Sequence, residues 1–205
     1  MERTFKEALR HRRSYYALAP ESPVTDAEIE EILRWSVKYV PSAFNSQSTR
    51  LVLLLGAQHG RLWSLVKDTL RPIVPAAAFP RTERKIDTTF AAGYGTVLFF
   101  EEEAVVRTLQ QQYPEYADNF PHWSEQTSAM HQLVVWTMLE DAGFGASLQH
   151  YNPLIDDEVR REWKLPATWR LVAQMPFGRP LDHPAEKSFE PLDARIRIFG
   201  DESDR

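Results

Sequence analysis

The chain has 205 residues, 43% hydrophobic and 12% aromatic, with a formal net charge of −5; it can bury a core as one domain over 1–205, and disorder is excluded. A mildly acidic chain lacks the basic face that general nucleic-acid or anionic-membrane binding requires, which leaves small molecules as the expected partners. There is no cysteine, so disulfides, thiolate nucleophiles and Cys-ligated metals are excluded and any redox chemistry must use a borrowed cofactor.

The opening Met1-Glu2-Arg3-Thr4-Phe5-Lys6-Glu7 is too polar for a signal peptide, and no apolar run approaches the roughly 20 residues of a bilayer span, so a cytoplasmic location is expected. Thr4 to Arg12 reads as a helix with Phe5, Ala8 and Leu9 at spacings of three and four. Thr25-Asp26-Ala27-Glu28 is a capping box opening a second helix to about Val37, ended by the polar segment Pro41 to Thr49. Leu51 to Leu55 is apolar without alternation, which predicts a strand covered on both faces. Gln58 to Leu70 reads as a helix, Arg71 to Pro80 as a loop with three prolines, and a short helix is expected through Phe90.

Gly93-Tyr94-Gly95 turns the chain into a second buried strand, Thr96 to Phe100, followed by a helix from Glu102 to Gln112. Tyr113 to Trp123 is aromatic and broken by Pro114 and Pro121. Ser124 to Ala142 reads as the longest helix, its wide stripe of Met130, Leu133, Val134, Val135, Met138 and Leu139 suggesting a central or interface position, closed by Gly143. A short strand at Ala146 to Gln149, a helix at Leu154 to Trp163 and a strand at Arg170 to Phe177 follow, and Arg195 to Phe199 alternates as an extended tail would. Strands separated by helices and loop-rich intervals predict an irregular α+β sandwich.

The familiar chemical motifs are absent. Gly143-Phe144-Gly145 follows a helix, unlike a dinucleotide fingerprint, no P-loop or Gly-x-Ser-x-Gly elbow occurs, and the six histidines lack metal-ligand spacing. Three segments remain, each with two readings. Arg12-Arg13-Ser14 is either a set of cations at the carbonyl end of a helix or a phosphate clamp of guanidinium forks and a hydroxyl. Pro41-Ser42-Ala43-Phe44-Asn45-Ser46-Gln47 is either a polar turn or a run of donors for a heteroaromatic edge. Ala146-Ser147-Leu148-Gln149-His150-Tyr151 is either a strand end or a backbone segment lining a cavity.

In this order, with Ala92-Gly93-Tyr94-Gly95-Thr96-Val97-Leu98-Phe99-Phe100 and a basic C-terminal tail, the segments resemble the nitroreductase family over nearly the whole chain, most closely its fungal and bacterial stress-response branch. The resemblance implies a three-layer α/β/α fold with a central mixed, mainly antiparallel sheet, and FMN held between two subunits of a homodimer. It assigns Arg12, Arg13 and Ser14, with Arg195 or Arg197, to the phosphate and ribityl end. Ser42, Ala43, Asn45 and Gln47 come from the other subunit, and Ser147, Leu148 and Gln149 run beside the ring. Phe44, His150 and Tyr151 are assigned to the substrate pocket. Hydride is expected to pass from NADH or NADPH through the flavin to a nitro compound or quinone, with no catalytic side chain. The position two residues after Ser14, often basic in relatives, is Tyr16; Lys85 or Arg84 is the substitute expected near flavin N1 and O2. Related flavin dehydrogenases, dehalogenating reductases and flavin-destroying enzymes leave other substrates open, and an FMN- or fatty-acid-binding stress regulator is the alternative function.

Overall fold

The N-terminus of each of the first two helices is specified locally. Thr4 and Thr25 each close a capping box, with Glu7 and Glu28 reaching back, so that α1 spans Phe5–His11 and α2 spans Asp26–Tyr39 in the computed structural model, which describes residues 3–199. The order continues β1 (Leu18–Ala19), β2 (Thr49–Leu55), α3 (Gly56–Leu70), α4 (Phe79–Lys85), β3 (Gly95–Glu102), α5 (Glu103–Gln112), α6 (Asn119–Asp141), β4 (Gly145–Ala146), α7 (Asp156–Glu162) and β5 (Trp169–Pro180), with β1 falling between α1 and α2.

The sheet runs β1-β5-β3-β2, with β4 also on β5, and all four ladders are antiparallel. The mixed character expected for the sheet is confined to one isolated parallel bridge, Ser14 to Ala146. Alternation along β3 sends Leu98 and Phe100 into a core beneath α3, α4 and α7, and Val97 and Phe99 into a second core beneath α2 and α6. The β3–β5 register shifts between Phe99 and Phe100, so Leu171 and Ala173 of β5, two residues apart, serve opposite cores. The result is the α/β/α sandwich, with packed helices over both faces.

Two expectations are corrected. β2 is an edge strand, so Leu51, Val52 and Leu53 are only partly covered in the chain. α6 begins at Asn119, not Ser124, because Pro121 occupies the first turn, where its missing N–H has no intrahelical acceptor to lose. The tail carries a single 3₁₀ turn at Leu192–Ala194 and its alternation pairs with no strand among the described residues. No helix among those residues is long and apolar enough to cross a membrane.

Candidate active site

Two of the expected segments lie side by side. After α1 the chain extends, Tyr15 N donates to Ala146 O at 2.9 Å, and Ser14 bridges Ala146, which puts Arg12–Ser14 along the start of the 146–149 segment. Gly145 permits this approach, since a Cβ there would stand 2.8 Å from Tyr15 Cβ. The Arg12 guanidinium lies 4.3 Å over the Trp136 ring of α6, and its Nε is buried with no hydrogen-bond partner among the described residues. Burial lowers the Arg12 pKa, opposed by Glu140 and reinforced by Arg13.

Arg13 Nη2 donates to Ala185 O at 2.5 Å, which draws the 179–191 segment back to this corner. That contact brings in Lys187, whose pKa is lowered by desolvation first and then by Arg12 and Arg13. Arg12, Arg13 and the exposed Lys187 therefore lie within electrostatic reach of one another, and like charges gathered in this way favour an anion among them. Arg195 and Arg197 are exposed, and Arg197 donates to Asp193 O within its own turn.

The Ser42–Gln47 loop is held in an unusual backbone. Phe44, Asn45 and Gln47 have φ of 54°, 51° and 48°, a left-handed region that Asn tolerates but Phe and Gln seldom enter. Ser42 Oγ accepts from Gln47 N at 3.0 Å, and the following Ser48 donates to the buried Glu101 carboxylate at 2.6 Å. The Phe44 ring sits among Tyr113, Phe120 and Trp123 at centroid distances of 4.9, 5.2 and 5.9 Å. Ser42 and Gln47 also border a groove of about 420 Å³ against Leu33, Val37, Leu51 and His131. Phe44 stacks on Trp123 and Arg12 on Trp136 of the same helix, which places the two anchor points about 20 Å apart along the axis. Within one chain these segments do not share a pocket.

Beyond Ala146, Ser147 is buried, Leu148 packs on the α2/α6 core, and Gln149 exchanges backbone hydrogen bonds of 2.7 and 2.9 Å with Gln174. The fully buried Gln174 side chain accepts from Tyr151 N at 2.7 Å and donates to Asn152 Oδ1 at 3.3 Å, fixing the segment's path. His150 is exposed. The Tyr151 ring turns toward Trp63 and Phe90, at 6.0 and 6.3 Å, and burial raises its pKa. Lys85 also stands over Phe90, on the α3/α4 side of the sheet, whereas Arg12 is on the α6 side; Tyr16 is 50% exposed.

The model of the nitroreductase family matches residues 9–179 of this chain. The chain belongs to that family. As a nitroreductase-family protein it is an oxidoreductase, and the relatives below match it along nearly their whole length. Nitroreductase FRM2 of Saccharomyces cerevisiae is 34% identical over 187 residues, 90% of this chain and 92% of that one. Nitroreductase CinD from Lactococcus lactis, in complex with nicotinic acid, is 42% identical, covers 96% of this chain and 100% of its own, and superposes with a TM-score of 0.88. A nitroreductase crystal structure from Saccharomyces cerevisiae gives 32% identity, 86% and 96% coverage, and a TM-score of 0.74.

Two residues beside these segments are not legible in the sequence. Lys187 lies in a polar, proline-rich stretch without periodicity, and only the fold carries it to Arg12. Glu101 reads as the end of an apolar strand, and its role as the anchor of Ser48 depends on the β2–β3 register, which sets Thr49 opposite it.

Proposed function

We propose that this cytoplasmic nitroreductase binds FMN between two copies of the chain and uses NADH or NADPH to reduce nitro compounds or quinones. The observation that carries the reading is the Arg12–Arg13–Lys187 corner with its buried, unpartnered Arg12 Nε, a donor set matched to a phosphate. In this reading Arg12, Arg13 and Lys187 hold the phosphate, the Ser14 hydroxyl adds a short donor, and the Ser147–Gln149 backbone orients the ring. Ser42, Ala43, Asn45 and Gln47 come from the second copy, and Phe44 and its aromatic neighbours border the acceptor. Bound FMN supplies the hydride-transfer chemistry, so the chain contributes binding, orientation and charge, and no acid or base of its own.

Several observations support the second copy: the 20 Å separation noted above, the uncovered edge of β2, and the exposure of Met130 and Leu133 on α6 at 40% and 41%. The substrate class draws support from CinD, whose complexes contain nicotinic acid, a pyridine carboxylate, and the nitroaromatics chloramphenicol and 4-nitrophenol.

The test is FMN titration by flavin fluorescence with Arg12→Ala beside the unaltered protein. Losing a charge-assisted contact should cost about 1.5–3 kcal/mol, one to two decades of affinity. Equal affinity removes Arg12 from the site, and no flavin binding by the unaltered protein refutes the reading. Tyr16, in place of a common cation, favours one second reading, a flavin-binding regulator. Anaerobic mixing with NADH and NADPH separates the two, since a regulator leaves its FMN oxidised.

A further inference from the structure

We infer that Trp136 is the positioning residue of the phosphate corner: its indole face holds the Arg12 guanidinium in the pose that receives the phosphate of FMN. The inference rests on the FMN reading above. It begins from the geometry of a stacked pair, the guanidinium carbon being 4.3 Å from the ring centroid, well inside the range in which a cation is attracted to an indole face. The ring itself is fixed, because Trp136 sits on α6 and packs against the sheet core between Val135 and Leu139, both fully buried.

An arginine on an open surface samples many rotamers and loses that freedom when it binds. Arg12 has lost it already. No carboxylate does the orienting: Glu140, the acid nearest in influence, is directed to Arg3 at 3.6 Å and His11 at 3.9 Å. Stacking leaves the guanidinium edge available for phosphate oxygens, which an ion pair would have occupied.

A second observation points to a ligand at this pair. Trp136 Nε1, like Arg12 Nε, is buried and without a hydrogen-bond partner among the described residues. Buried donors are almost always satisfied, and the orphan Arg12 Nε of this stacked pair calls for an acceptor that the chain does not supply. Sequence spacing hides the relation, since Arg12 and Trp136 belong to a helix end and a helix interior more than a hundred residues apart.

The experiment compares FMN with riboflavin, which has the ring and ribityl chain but no phosphate, by fluorescence titration. Trp136→Leu should weaken FMN about tenfold while leaving riboflavin unchanged, and Trp136→Phe, which restores an aromatic face, should recover most of the loss. In an Arg12→Ala background Trp136→Leu should have no further effect on FMN, because the group it positions is gone. Should Trp136→Leu fail to fold, fluorinated tryptophan placed at 136 drains the ring face without changing its shape, and FMN affinity should fall with each added fluorine. If Trp136→Leu weakens both ligands alike, or keeps the same preference for FMN over riboflavin, the positioning role is overturned while the FMN site stands. If the unaltered protein binds neither ligand, it is the FMN reading that fails.

Discussion

Glu101 offers a test of how the sheet holds the Ser42–Gln47 loop. Its carboxylate is 1% exposed and accepts from Ser48 Oγ at 2.6 Å and Thr49 Oγ1 at 2.8 Å. Both hydroxyl residues are themselves buried, so Glu101→Ala strands two donors where water does not reach. Stranding a buried donor costs about 1–3 kcal/mol, so removing the acceptor of both should cost about 2–5 kcal/mol. The loop it anchors contains three non-glycine residues at positive φ, each a strain of order 1 kcal/mol that persists only while the surroundings enforce it. Urea unfolding gives the stability, and amide exchange should quicken over residues 42–49 beyond the global change. A Glu101→Ala protein within about 1 kcal/mol of the original would refute the anchor. Glu101→Gln adds a pH signature. Burial, opposed by Ser48, Thr49, Arg170 and Arg50, raises the Glu101 pKa. The folded state therefore holds this proton above the unfolded value of about 4.3, and the group's stabilising contribution, full at low pH, is lost as pH rises through the folded pKa. The deficit of Glu101→Gln should be greatest near pH 4 and shrink toward pH 7; an opposite trend contradicts the burial argument.

Three further outcomes are expected. His59 Nδ1 lies 2.9 Å from Thr96 Oγ1, which also accepts from Trp63 Nε1, and Nε2 lies 3.2 Å from Ala91 O. Burial lowers the His59 pKa, opposed by the Ala91 carbonyl, and burial lowers that of His131 too. The unfolded chain protonates first, so stability should fall as pH drops below about 6.5, and His59→Gln should flatten the pH 5–7 slope of the melting temperature; an unchanged slope removes His59 as a cause. At Gly178 a Cβ would meet Ala19 O at 2.5 Å and Tyr94 N at 2.9 Å, both backbone atoms, so Gly178→Ala should destabilise by about 1–3 kcal/mol in urea, and a neutral result would show that β1 can move aside. Lys187→Ala should weaken FMN and reduce the salt dependence of its binding, whereas Arg195→Ala and Arg197→Ala should leave both nearly unchanged; the reverse pattern would restore those two residues to the site.

The sequence was most informative where structure is set within one or two helical turns. The capping boxes at Thr4 and Thr25, the apolar stripe of α6 and the stop at Gly143, whose φ is 97°, are readable because each signal and its effect lie a few residues apart. It was least informative where the cause is remote. Nothing near Leu51 says that β2 ends the sheet, nothing near Val172 announces the register shift, and the two residues of β1 are too short for any pattern.

The same division runs through the site. Order and residue type along the chain determined the family, the fold class and the candidate segments Arg12–Ser14, Ser42–Gln47 and Ser147–Gln149. Tertiary structure alone decided which of them meet. It set Ser14 against Ala146, laid Arg12 on Trp136, brought Lys187 within electrostatic reach of Arg12 and Arg13, and tied Ser48 to Glu101. Those pairings follow from sheet register and helix docking, which bring together residues that local propensity treats as unrelated, and the phosphate corner proposed above depends on them.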